Sequence, residues 1–145
     1  MGFTEAIKTF YARYTDFSGR SSRSEFWWVQ LCLAILTFLF YFGVAISSES
    51  SIGGEISVTQ LVLIGGLILI FLGHLIGLIA LQVRRFHDLD KTGWLVLVFG
   101  ILSLIPLVGT LVSIGQLIWF CFRGTIGGNQ YGPDPLGPNH AEVFD

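Results

Sequence analysis

Phe26 to Ile46 is a run of 21 residues without one charged side chain, and it narrows most of what the chain can become. As a helix it is about 32 Å long, enough to cross the hydrocarbon core of a bilayer. A helix also satisfies its own backbone hydrogen bonds, as lipid requires. Two similar runs follow. Val58 to Val83 carries His74 as its only ionisable residue, and Trp94 to Phe122 has 29 uncharged residues. Charged residues make up 12% of the chain, about half the share of a soluble domain. The expected fold is therefore all-α, a polytopic transmembrane helical bundle. It is read as a single membrane domain over 1–137 with a flexible tail at 138–145. The first run starts too late and is too long for a cleaved leader, so it reads as a retained span.

The third run would be about 44 Å as one helix, more than a core of about 30 Å takes with ordinary tilt. Pro106-Leu107-Val108-Gly109 in its middle supplies a turn. The run is expected to fold as a broken hairpin over 94–105 and 110–122. With the full spans at 26–46 and 58–83 this makes four transmembrane segments. A hairpin also puts all eight Lys and Arg residues and all four Trp on one side of the membrane. That is the cytoplasmic side by the bias of basic residues, with both termini there. The loop from Ser47 to Gln60, charged only at Glu49 and Glu55, belongs outside.

Before the first span, Phe3, Ile7, Phe10, Tyr14 and Phe17 recur at helical spacing. Residues 1–20 are expected to form an amphipathic helix in the membrane interface, broken at Gly19. Ser22 and Glu25 have capping-box spacing. Trp27, Trp28, Trp94 and Trp119 fit an aromatic belt that anchors the interface. Arg23 lies close to a helix N-terminus, where the dipole disfavours a cation. An anionic partner, either a lipid phosphate or a carboxylate, would remove that cost.

The densest charge in the middle of the chain is Arg84-Arg85-Phe86-His87-Asp88, followed by Asp90 and Lys91. Cations at the end of a helix are favoured by its dipole. Asp88 is four residues after Arg84, so the two can pair on one helix face. Within the span, Gly73 and Gly77 have the small-xxx-small spacing that seats a neighbouring helix. His74, with Gln82 two turns on, is expected to hydrogen-bond an adjacent helix. Cys32 and Cys121 sit in apolar runs and read as small buried residues. No metal and no cofactor are expected. From Arg123 the tail is dense in Gly and Pro, so 123–137 is expected to be a cytoplasmic strap of turns carrying Asn129, Tyr131 and Asp134.

Three motifs thus occur in order. They are Gly19-Arg20-x-x-Arg23-x-Glu25-Phe26-Trp27-Trp28, then Val83-Arg84-Arg85-Phe86-His87-Asp88 with Gly93-Trp94, then Gly128-Asn129-Gln130-Tyr131-Gly132-Pro133-Asp134-Pro135. Together they make the chain similar to the domain of unknown function 805 family of small bacterial inner-membrane proteins, over about residues 3 to 137. The chain departs from the family pattern where Leu89-Asp90 precedes Lys91-Thr92-Gly93, and in a longer outside loop. The resemblance implies a multi-pass inner-membrane protein and no particular activity.

The first expectation for function is a non-catalytic module that binds anionic lipid headgroups or a membrane partner at its cytoplasmic face. The binding residues would be Arg20, Arg23, Arg84, Arg85, His87, Asp88, Lys91, Asn129, Tyr131 and Asp134 in one cluster. Cations outnumber the carboxylates there, which leaves room for an external anion. One alternative is an enzyme on a lipid-linked phosphate, with His87 as acid or base oriented by Asp88. Another is a small transporter or channel using His74. Membrane lipids are the expected partners, with a membrane protein or a second copy of the chain also open. A net charge of −2 argues against nucleic acid. Asp90-Lys91-Thr92-Gly93 resembles the phosphorylated motif of ion pumps, but the chain has no room for the soluble domain that presents it.

Overall fold

The structure, a computed structural model, describes residues 1–49 and 56–137. The expected flexible tail at 138–145 and Glu55 of the outside loop lie beyond those residues. Among them are five helices: α1 Phe3–Ala12, α2 Arg23–Glu49, α3 Val58–Asp88, α4 Leu95–Leu102 and α5 Val108–Cys121. Helices α2 and α3 are long and apolar enough to cross a membrane; α5, at 14 residues, is a shorter apolar helix.

Helix α1 is shorter than the sequence pattern suggests. It stops at Ala12 because Asp16 gathers the chain into a turn. Asp16 accepts from the Arg13 guanidinium at 2.9 Å and from the Ser18 backbone N–H at 2.9 Å. Short polar side chains of this kind compete with helix propagation. These bonds, led by the one from the Ser18 hydroxyl, hold the Asp16 carboxyl down at about 2. Gly19, at φ +72°, closes the turn rather than the helix.

Ser22 caps α2, accepting from the Glu25 backbone N–H at 3.2 Å. The Glu25 side chain does not complete the capping box, because it turns away to Arg84. Helix α3 does start with a full box, between Ser57 and Gln60. The break in the third apolar run is sharp. Ser103 Oγ donates back to the Phe99 carbonyl at 2.7 Å, and the chain then runs through two further tight turns. Leu107, at φ 66°, carries the reversal. The hairpin forms, but α4 has 8 residues, three short of the expected end at 105, and α5 begins two residues early at Val108.

Burial is concentrated at one end of the bundle. Ala6, Phe10, Phe26, Val29, Ala80, Leu81, Phe86 and Phe120 form the apolar core. They come from α1, the start of α2, the end of α3 and the end of α5. Farther along α2 and α3 the large side chains face outward, such as Phe38 at 62% and Leu69 at 72% exposure. In lipid that exposure carries no hydrophobic penalty, and helix contact there rests on close packing. Phe40 lies over Gly66, and Leu63 over Gly43.

The two glycines of the small-residue motif separate. A side chain at Gly77 would meet the Tyr14 ring at 2.6 Å and the Phe10 ring at 2.7 Å, so Gly77 seats α1. A Cβ at Gly73 would meet nothing within 4 Å. Gly73 instead contributes its carbonyl, which accepts from the Tyr14 hydroxyl. His74 bonds the Tyr11 hydroxyl at 2.8 Å through Nε2, and the Ile70 carbonyl through Nδ1. The adjacent helix that His74 bonds is therefore α1. Overpacking of this kind costs about 1–3 kcal/mol, so Gly77→Leu should lower the melting temperature in detergent while Gly73→Ala leaves it unchanged or slightly raised. Equal melting of both variants would show that α1 is not seated at Gly77.

Candidate functional site

A helix leaves its last four carbonyls without intrahelical partners. In this protein α1 and α5 both end against α3, whose own end carries two arginines. Arg84 donates to the Arg13 carbonyl at 2.8 Å and to the Asp16 carbonyl at 3.2 Å, just beyond the end of α1. Arg85 donates to the Phe120 carbonyl at 2.9 Å and to the Phe122 carbonyl, at the end of α5. Each guanidinium thus supplies donors to carbonyls at a helix end, and at Arg13 it adds to the bond from the Asp16 N–H. Both side chains are fully buried, at 0% exposure.

Buried cations need counter-charges. Arg84 pairs with Glu25 at 3.2 Å and Arg85 with Asp88. The expected Arg84–Asp88 pair does not form, because Arg84 points to the start of α2 while Asp88 is taken by its neighbour. Asp88 also pairs with Arg20, at 2.9 Å. Arg20 in turn donates to the Thr125 carbonyl at 2.5 Å and the Gly127 carbonyl at 2.6 Å. The first motif, the end of α3 and the strap are thereby tied into one cluster. Arg84 Nε and Ser21 Oγ are the buried side-chain polar atoms left without a partner among the described residues.

The strap lies on this cluster through its backbone. The Thr125 N–H donates to the Asp88 carbonyl at 2.9 Å. The Asn129 amide donates to the His87 carbonyl and to the Thr125 hydroxyl, both at 2.9 Å. Tyr131 stacks on the His87 ring, with centroids 3.9 Å apart and planes 3° from parallel. Asp134 closes the last turn by accepting from the Leu136 and Gly127 N–H groups, which holds its carboxyl below the usual range. Gly124 is indispensable to the fit: a Cβ there would lie 2.0 Å from Asp88 Oδ2.

The ten residues expected to bind therefore divide. Arg20, Arg84, Arg85 and Asp88 are buried and bonded to the protein itself. His87 gives Nδ1 to the Gly19 carbonyl at 3.1 Å and makes no hydrogen bond with Asp88. The expected acid–base pair is thus not assembled. Asn129, Tyr131 and Asp134 organise the strap. Arg23 and Lys91 stay exposed, as do Lys8 and Arg123. The excess of cations over carboxylates is absorbed by carbonyl groups, which sequence counting does not see.

Arg23 lies at the first turn of α2 and reaches the Cys121 carbonyl at 3.3 Å. Its cost at a helix start is thus offset by the end of α5 and needs no carboxylate. Beside it opens a groove of about 680 Å³, lined by Trp27, Trp28, Leu31, Cys121 and Leu136. Cys121 is exposed there and Cys32 is half-buried, so neither is a fully buried residue. Trp94 is 73% exposed and stands free of the core. Trp119 is half-buried and packs edge-on to Phe86 at 5.8 Å, at the rim of the core. Arg13, whose carbonyl accepts from Arg84, is the partner that the sequence did not single out; its role depends on where α1 docks.

A family model described as "Protein of unknown function (DUF805)" matches residues 14–133. That range holds the Arg20–Asp88, Arg84–Glu25 and Arg85–Asp88 pairs. Inner membrane protein YhaI of Escherichia coli (strain K12) is 37% identical over 129 residues, covering 84% of this chain and 87% of that protein. Inner membrane protein YhaH of the same organism is 38% identical over 122 residues, covering 84% and 88%. No solved structure matches the chain.

Replacing one partner of a buried ion pair costs about 3–5 kcal/mol. Arg84→Ala should therefore lower the melting temperature steeply and expose the strap to protease after Arg123. Arg84→Met combined with Glu25→Leu should recover part of that loss, since no lone charge remains buried, but not all, because the Arg13 and Asp16 carbonyls lose the donors that Arg84 supplied. Melting of Arg84→Ala at the wild-type temperature would refute the cluster as a structural unit.

Proposed function

The chain belongs to the DUF805 family of proteins of unknown function, and from that premise we propose that it is a non-catalytic inner-membrane module whose cytoplasmic face binds anionic lipid headgroups. Two relatives are named inner membrane proteins, and two helices here are long and apolar enough to span. The observation that carries the reading is the exposed Arg23 at the mouth of the groove formed with Trp27 and Trp28. A guanidinium beside two indoles suits a phosphate above and acyl methylenes below. Lys91 and Arg123, also exposed, add to the attraction that an anionic leaflet exerts on basic residues. The buried arginines act one step back, by holding the ends of α2, α3 and α5 together so that the groove exists.

A basic residue near an anionic surface contributes about 1 kcal/mol. Arg23→Ala should thus weaken binding to phosphatidylglycerol nanodiscs about fivefold at low salt. Raising salt to 1 M, where the Debye length is about 3 Å, should abolish the difference. Binding that is indifferent to both the substitution and the salt would rule the reading out.

The same proposal sets the topology. The α4–α5 hairpin leaves from the face where α3 ends and returns to it, since Arg85 holds the end of α5. Both termini then lie in the cytoplasm, on the side favoured for basic residues. A reporter fused after Asp145 should be active in its cytoplasmic form only. Activity of a periplasm-dependent reporter at that position would overturn the arrangement.

A further inference from the structure

Between α2, α3 and the α4–α5 hairpin, beside the Phe26–Phe120 packing, lies a cavity of about 530 Å³. Gln30, Gln82 and Gln116 project into its lining from three different helices, with Ser113 beside them. No charged side chain lines it. Gln30 lies seven residues inward from Arg23 and Gln116 seven residues before Arg123, about 10 Å along the axis, and Gln82, two residues before the buried Arg84, is held level with Gln116 by their hydrogen bond. Headgroup layers account for about 5–8 Å on each side of a bilayer. The amides therefore sit where headgroups give way to hydrocarbon, a depth at which unpaired amides are costly.

Only part of their hydrogen-bonding capacity is met by the protein. Gln116 Nε2 donates to Gln82 Oε1 at 2.9 Å. That bond leaves the Gln82 amine as a donor and the Gln116 carbonyl as an acceptor, both at the cavity. Gln30 has no hydrogen-bond partner of its side chain among the described residues and offers one group of each kind. The site is thus neutral, supplies donors and acceptors together, and is walled on one side by the apolar face of α4 at Val96, Leu97 and Ile101. Its volume falls within the usual range for a small-molecule site.

We propose that this cavity binds the uncharged polar end of a membrane lipid of the diacylglycerol type. The free hydroxyl of such a lipid donates to the Gln116 carbonyl, and its ester carbonyls accept from the Gln82 and Gln30 amines. The acyl chains run out along α4. A phosphate is disfavoured because burying its charge in a neutral cavity leaves it unpaired. No residue lining the Arg23 groove lines this cavity, so this proposal and the headgroup reading stand or fall separately.

The test uses the full chain in phosphatidylcholine nanodiscs doped with a diacylglycerol bearing a photoreactive group on one acyl chain. Labelled peptides are mapped by mass spectrometry. Saturable labelling of α4 and α5 is expected, competed by unlabelled diacylglycerol and not by phosphatidic acid. Gln116→Leu removes a group that pairs with the lipid and should weaken the competition roughly five- to tenfold. Gly100→Leu offers a second route: a Cβ at Gly100 meets nothing within 4 Å, so the side chain fills the cavity without forcing a neighbour aside. It should abolish saturable labelling while the melting temperature holds. Equal labelling by a phosphatidylcholine carrying the same group would mean that the cavity takes any acyl chain, and would overturn the proposal. So would labelling unchanged in Gly100→Leu, or no saturable labelling of the wild type at all.

Discussion

Everything at the ordered end of this protein depends on where two guanidinium groups send their hydrogens. Arg84 and Arg85 are adjacent in α3, so their side chains leave the helix about 100° apart. One reaches the end of α1 and the other the end of α5. A single turn of helix thereby positions two others. Lysine cannot substitute for this, because one ammonium has no planar fork with which to serve a carboxylate and two carbonyls at fixed angles. The cost of burying the charges is met by Glu25 and Asp88, and Asp88 carries a second load by anchoring Arg20 and the strap.

That arrangement explains why the core lies at one end. A soluble domain gathers its apolar side chains inward because water surrounds it on all sides. Along the outer halves of α2 and α3 lipid replaces water, so Phe38, Tyr41, Val62 and Leu69 gain nothing by turning in. At the membrane surface both demands meet. Polar backbone ends must be satisfied and aromatic rings must leave water, and the ion-pair cluster and the Phe26–Phe86–Phe120 packing sit side by side.

For function, the division between buried and exposed arginines matters more than their number. A cation already bonded to a carboxylate and two carbonyls has little left to offer a ligand. Arg23 differs because it lies on the outer face of α2 with a single carbonyl contact. The exposed indoles beside it make a surface of the mixed kind that the membrane interface favours.

The sequence by itself determined the solvent, the number of long spans and the punctuation. Uncharged runs of more than 20 residues have few alternatives to a membrane helix, and Pro106 interrupts the one it lies in. It also made the ordered trio of motifs recognisable, from residues close together along the chain. What tertiary structure decided was the pairing. Arg84 chose Glu25, 59 positions away, over Asp88, four positions away. Arg23 found a helix end where a phosphate or carboxylate had been the obvious partner. Gly77 proved to be a seat, and Gly73 supplies the carbonyl that accepts from the Tyr14 hydroxyl, although the spacing treats them alike. The reason is common to all of these. Local spacing reports which groups share a helix face, whereas hydrogen bonds to carbonyls are invisible in a sequence, since every residue carries one and only packing exposes which are left unpaired.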